Sequence, residues 1–172
     1  MATEQLRLVD GTIVRKCPTI KPLYCSRAGK FYSVHNAILT DDGWVLREIK
    51  PVLKQSGTRR CTFTNGTGTH YPFMRKFQNK HCHFLVAAAW LGVRPDGMVI
   101  DHLNGNILDW SLDNLQYVTP AENRRRAKIL RVIRSIGRNP AEMSTEELLR
   151  IFASYDLCDP LAAAAEERRK YV

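Results

Sequence analysis

The chain has 172 residues, 44% of them hydrophobic and 25% charged, with a formal net charge of +9 and an isoelectric point near 9.6. That balance suits one ordinary folded domain, or a small core with an appendage, and excludes an intrinsically disordered chain. No run approaches the roughly eighteen apolar residues of a membrane span, and the first five residues lack a basic-then-apolar leader, so a cytoplasmic location without membrane attachment is expected.

The five cysteines (Cys17, Cys25, Cys61, Cys82, Cys158) are scattered and form no Cys-x-x-Cys pair. Their odd number and spacing argue against a disulfide framework and against a zinc ribbon, so reduced, partly buried thiols are expected. The triplet His81-Cys82-His83 looks locally metallophilic. Neither helix nor strand, however, directs three consecutive side chains at one ion.

In chain order, residues 1–22, with Pro18 and Pro22, read as an arm or an edge strand. From Leu23 to about Lys80 the apolar runs are short and β-like: 30–34, 44–49 and 60–64. Turn residues at Gly29, 41–43, 56–57 and 65–66 punctuate them. Cations such as Arg27, Lys30, Lys50, Lys54, Arg59, Arg60, Arg75, Lys76 and Lys80 recur there among aromatics. They suit a phosphate backbone as well as they suit the exposed face of a sheet, and the pattern does not separate the two.

His83 to Leu91 is compact and apolar and ends at Gly92, which predicts a short buried helix with a glycine cap. After the turn Arg94-Pro95-Asp96-Gly97, Met98–Ile100 reads as a short strand delivering Asp101 and His102 at its end. Asn104-Gly105 turns the chain, and Leu115–Val118 reads as a second strand. Thr119-Pro120-Ala121-Glu122 is a strong helix start, with Thr as N-cap, Pro at the first helical position and a carboxylate three residues after the cap. Asn123 therefore falls in the first turn of a helix expected to run to about Ile136, with Ile129, Leu130, Val132, Ile133 and Ile136 on its buried face.

From Arg124 to Arg138 the chain carries seven cations and no acid. A single-signed run of this kind favours a polyanionic partner over a merely solvated helix face, and Arg124, Arg125, Arg126, Lys128 and Arg131 are the residues expected to contact nucleic acid. Beyond Pro140, Ser144-Thr145-Glu146-Glu147 is a capping box ahead of a second helix, and residues 160–171 suggest a third. These helices suit a DNA reader or an appendage packed back on the core. The expected division is 1–80, a β module expected to contact nucleic acid; 81–138, a central unit; and 139–172, a C-terminal helical region. The fold class is α+β.

The central unit carries the chemistry. Two short strands followed by a helix can bring Asp101, His102, Asn114 and Asn123 into one pocket. Asp101 is a hard oxygen donor for Mg²⁺ or Mn²⁺, and the Asn123 amide oxygen is a candidate second ligand, with water and phosphate oxygens completing the shell. His102 can take a proton from an attacking water. Such a base gains from an acceptor that fixes its tautomer, and Asn114 or the local backbone is the candidate. Taken singly, an Asp-His pair is common and Asn-Gly is usually just a turn; the ordered set is what is specific.

Residues 83–126 resemble the HNH endonucleases of the intron-encoded homing type, a branch of the ββα-metal nucleases. His83-Phe84-Leu85-Val86-Ala87 is similar to the family's His-x-Leu-Val-Ala helix, and Asp101-His102-Leu103-Asn104-Gly105 to its catalytic Asp-His-x-Asn-Gly. Asp113-Asn114-Leu115 resembles the central Glu/Asp-Asn-Leu, and Val118-Thr119-Pro120-Ala121-Glu122-Asn123 the closing Val-Thr-x-x-Glu-Asn. Ser26 to Ser33 is weakly similar to a β module that often precedes this core. The resemblance implies a ββα-metal core over 81–138. Within it, His102 is the general base, Asp101 and Asn123 hold one divalent cation per active site, and Asn114 fixes the loop and orients His102. It also implies double-stranded DNA as partner, with a monomer or homodimer and no obligate protein partner. Asp109-Trp110 departs from the family's polar pair and puts the loop's conformation in question. A non-cleaving DNA-binding or regulatory protein on an HNH core is the competing reading.

Overall fold

The computed structural model describes residues 4–18, 23–53, 61–62 and 82–156. They form an α+β structure with an N-terminal antiparallel sheet followed by helices. They divide into two compact units. One holds the described residues up to Arg94 together with Leu108–Leu115; the other holds Pro95–Ile107 together with those from Gln116 onward.

In the first unit, β1 (Gln5–Arg7), β2 (Ile13–Lys16), β3 (Leu23–Ser26), β4 (Phe31–Thr40) and β5 (Gly43–Ile49) form an antiparallel meander in chain order. Alternating side chains explain its buried side: Leu8, Val14, Tyr24 and Tyr32 form a core against which Leu6, Val34, Trp44 and Leu46 pack. Asp41-Asp42 makes the tight turn between β4 and β5, where Thr40 pairs with Gly43. The segment expected as an arm or edge strand is in fact two strands. Its first is held against β5 by a Leu8–Trp44 bridge and by the Val9 amide donating to the Trp44 carbonyl at 3.2 Å.

Strand β6 (Val52–Leu53) pairs with β7 (Cys61–Thr62), the described part of the strand expected at 60–64. The turns expected at 56–57 and 65–66, and the cations Lys54, Arg59, Arg60, Arg75, Lys76 and Lys80, lie outside the described residues. Helix α1 (Cys82–Trp90) buries Leu85, Val86, Ala87 and Ala89 and ends before Gly92 at φ 86°, the left-handed cap expected there. It is tied to β3 by the Trp90 indole, whose Nε1 donates to the Cys25 carbonyl at 3.2 Å. Cys17, Cys25 and Cys82 are buried free thiols.

In the second unit, β8 (Val99–His102) pairs with β9 (Leu115–Val118), which belongs to this unit from Gln116 onward, and α2 (Pro120–Ser135) and α3 (Thr145–Asp156) follow. The Thr119 hydroxyl accepts from the Glu122 amide at 3.2 Å and the Ser144 hydroxyl from the Glu147 amide at 3.1 Å, so both helices start at their expected caps. Leu103, Ile129, Leu130, Ile133, Leu148 and Phe152 form the core, flanked by Met143, Ile151 and Tyr155. The buried stripe of α2 is narrower than expected: Val132 is half-buried and Ile136 is 39% exposed. Helix α3 packs back onto α2 through Leu148 and Phe152. The helix expected over 160–171 lies outside the described residues.

Candidate functional site

Strand β8 ends on Asp101 and His102, and the turn that follows is tight. The Gly105 amide donates to the His102 carbonyl at 2.8 Å, and the Asn106 amide donates to Asn104 Oδ1 at 2.8 Å. Gly105 sits at φ 67°, and a Cβ there would lie 2.6 Å from Arg134 Nη2 and 2.9 Å from Leu130 Cδ1. That left-handed φ favours glycine, and a Cβ would also force the ends of the Arg134 and Leu130 side chains to shift. On α2, Asn123, Ala127, Leu130, Arg131 and Arg134 recur every three or four residues and face the same way. Together with Ile100, Asp101, His102, Gly105 and Ile107 they line a cleft of about 430 Å³. Asp101, His102 and Asn123, expected to cooperate, thus share one cavity.

Asp101 is the buried acid of this cleft, 6% exposed. Its Oδ2 accepts from Gln116 Nε2 at 3.0 Å and faces Arg126 Nη1 at 3.4 Å. Burial raises the Asp101 carboxyl above the ordinary carboxylate value, while the Arg126 charge and the Gln116 hydrogen bond pull it back down. Arg126 is itself fixed: its Nε donates to Glu122 Oε1 at 2.5 Å, and its guanidinium carbon lies 5.0 Å from the Phe152 ring centre. Glu122 also receives both Arg125 nitrogens, Nε and Nη2, at 2.9 Å each. Hydrogen bonds from Arg125 first, then from Arg126, hold the Glu122 carboxyl down at about 2 against the burial that would raise it.

The structure sorts the cationic run of α2. Arg125 and Arg126 are engaged by Glu122 and Asp101. Arg124, Lys128, Arg131 and Arg134 are exposed and take part in no ion pair among the described residues. Sequence reasoning missed Gln116 and Glu122, and it counted Arg134 in the cationic run without placing it at the cleft. Arg134 could have been found by the helical period, because it lies eleven residues beyond Asn123 and so three turns along the same face. Gln116 could have been found by strand pairing, since β8 and β9 are neighbours.

Asn114 belongs to the first unit, at the end of a single 3-10 turn (Leu112–Asn114). It is buried, and its amide nitrogen donates to the Asp109 carbonyl at 2.8 Å, closing the loop 109–114. The Trp110 departure has a local purpose. Its Nε1 donates to the Gly29 carbonyl at 2.9 Å, and Gly29, at φ 76°, could not carry a Cβ, which would fall 2.5 Å from Trp110 Cδ1. The Arg27–Asp113 ion pair at 2.8 Å and the Leu112 amide donating to the Arg27 carbonyl at 2.7 Å hold the same two segments together. His83 packs beside Phe84, ring centres 4.7 Å apart, within α1. Arg15 and Arg27 lie over the Trp90 ring at 4.5 and 5.8 Å.

Donor chemistry decides whether the cleft suits a metal. Among the described residues no three His, Cys, Asp or Glu side chains form a metal-holding group, so a thiolate or imidazole cage is not what they offer. Asp101 supplies one hard anionic oxygen and Asn123 one amide, in a cleft with room for water and phosphate oxygens. That sparse oxygen set fits a divalent cation of the Mg²⁺ type, which keeps much of its shell as water and substrate oxygen. No helix among the described residues is long and apolar enough to cross a membrane.

No curated protein and no solved structure matches the chain. Residues 80–125 match the family model described as HNH endonuclease. The matched segment holds Asp101, His102, Asn114 and Asn123, and it supports a nuclease with DNA as its substrate; nucleases of this kind generally use divalent metal ions. The likeness to HNH endonucleases thus covers residues 80–125, about a quarter of the chain.

Proposed function

We propose that the protein is a metal-dependent DNA endonuclease of the homing or phage HNH type. In this reading it acts in the cytoplasm through a ββα-metal core over 81–138 and uses one Mg²⁺ or Mn²⁺ per active site. The observation that carries the reading is the shared cleft: Asp101 and His102 at the end of β8 line it with Asn123 of α2, and Arg131 and Arg134 extend it with positive charge.

His102 takes the proton from the attacking water as its oxygen bonds to phosphorus and the P–O bond to the leaving sugar oxygen breaks, releasing that oxygen on the cut strand end. Asp101 and Asn123 would hold the divalent cation, which would supply stabilisation of the negative charge that develops in the reaction. Gln116 and Arg126 fix the Asp101 carboxylate from one side. Asn114 keeps the 109–114 loop closed through the Asp109 carbonyl. Arg124, Lys128, Arg131 and Arg134 neutralise phosphates of double-stranded DNA beside the cleft. Residues 1–80 and 139–172 supply further DNA contacts or packing. A centre of this kind attacks one strand at a time, so a monomer nicks, and a double-strand break takes a homodimer or two sequential events.

Incubation with supercoiled plasmid tests the reading. Open circle or linear product is expected with Mg²⁺ or Mn²⁺ and neither with EDTA. A salt-sensitive mobility shift without cleavage, across a library of sites, would favour the non-cleaving DNA-binding alternative.

A further inference from the structure

The charge network around the buried Asp101 is matched before any metal arrives. Asp101 and Glu122 contribute two negative charges, and Arg125 and Arg126 contribute two positive ones, all four joined by the contacts already given. The Asp101 side chain is 7% exposed and that of Arg126 14%, so solvent screens their mutual attraction poorly. Nor is Arg126 a loose surface cation. Glu122 grips its Nε, Asp101 faces its Nη1, and the Phe152 ring of α3 lies against it.

A divalent cation approaching Asp101 in the DNA-free protein therefore meets a carboxylate whose charge is already matched. It must also come within reach of a fixed positive group. Both effects oppose binding, because the cation's loss of hydration is offset only when net negative charge awaits it. The missing negative charge is available from the phosphates of DNA lying in the cleft.

Resting on the nuclease reading above, we propose that Arg126, braced by Glu122 and Phe152, is a resident counter-ion on Asp101 that keeps divalent-cation affinity low in the DNA-free protein, so that the cation is taken up tightly only together with DNA. Arg126 is then a positioning residue, acting through Asp101, and α3 serves the metal site by holding Arg126 in place.

The test is Mn²⁺ titration of the full chain without DNA, read from the paramagnetic resonance signal of free Mn²⁺. The wild type is expected to half-saturate only at roughly millimolar Mn²⁺. Arg126→Met should bind at least about tenfold more tightly, whereas Arg126→Lys, which keeps the charge, should stay within about threefold of wild type. Adding Asp101→Asn to Arg126→Met should abolish the gain. With duplex DNA present, the wild type should hold Mn²⁺ at least about tenfold more tightly than Asp101→Asn does with the same duplex.

Circular dichroism checks the fold of each variant. If Arg126→Met does not fold, the wild-type titration still decides: micromolar, Asp101-dependent binding without DNA refutes the proposal. A folded Arg126→Met that binds no more tightly refutes it too, and if Asp101→Asn still abolishes cleavage the nuclease reading survives. Mn²⁺ binding indifferent to Asp101 with and without DNA would overturn both.

Discussion

Two sides of helix α2 treat the same kind of side chain in opposite ways. Arg125 and Arg126 turn toward Glu122 and Asp101 and are spent on internal ion pairs. Arg124, Lys128 and Arg131, spaced four and then three residues apart, form an exposed stripe along the helix, and Arg131 and Arg134 carry positive charge into the cleft. Adjacent arginines thus differ in role because 100° of helical rotation separates each from the next. Charge counted along the chain overstates what is available to DNA.

The largest effect belongs to a third side, the buried one. If apolar packing rather than ion pairing holds α2 in place, Ile133→Ala should cost about 2–5 kcal/mol in denaturant unfolding. A loss under about 1 kcal/mol would mean the ion-pair side matters more for stability than its geometry suggests.

Glu122→Gln sharpens the contrast from the paired side. The Glu122 carboxyl is held at about 2, below its ordinary 4.5, so its contribution is present above about pH 4.5 and is lost as pH falls toward 2. Because Glu122 is partly exposed, solvent screening limits the contribution to about 1 kcal/mol. Melting temperatures of wild type and Glu122→Gln should differ at pH 7 and converge as the pH is lowered through that window. A gap that persists at low pH would locate the effect elsewhere.

The smallest effects concern DNA. Lys128→Gln and Arg131→Gln should each reduce the salt slope of DNA affinity by about 1. Arg125→Gln, on the paired side, should leave that slope nearly unchanged. Equal slopes for all three would erase the distinction between the two sides.

Much of this arrangement was legible in the residues. The Thr119-Pro120 start, the Ser144 cap and the Gly92 stop are local signals with local causes, and each appears where expected. The cleft was legible too, because a strand ending on Asp101-His102 and a helix opening with Asn123 leave few ways to place those side chains. Less visible was the passage of Leu108–Leu115 into the first unit, where Trp110 and Asp113 engage Gly29 and Arg27. Those partners lie some eighty residues away in sequence, and no periodicity encodes such a contact. The capture of Arg126 by Asp101 was hidden for the same reason: a run of three arginines gives no sign of which one turns inward until the strand is paired and the helix docked.

The central claim is that His102 acts on DNA from the cleft it shares with Asp101 and Asn123. It is tested most directly by measuring cleavage rate and DNA affinity together for His102→Ala, on a substrate the wild type cuts. Loss of cleavage by about a hundredfold or more, with affinity held within a few-fold and the melting temperature unchanged, is the expected result. Cleavage that survives the substitution would remove His102 from the chemistry, and a parallel fall in cleavage and affinity would make it a structural residue.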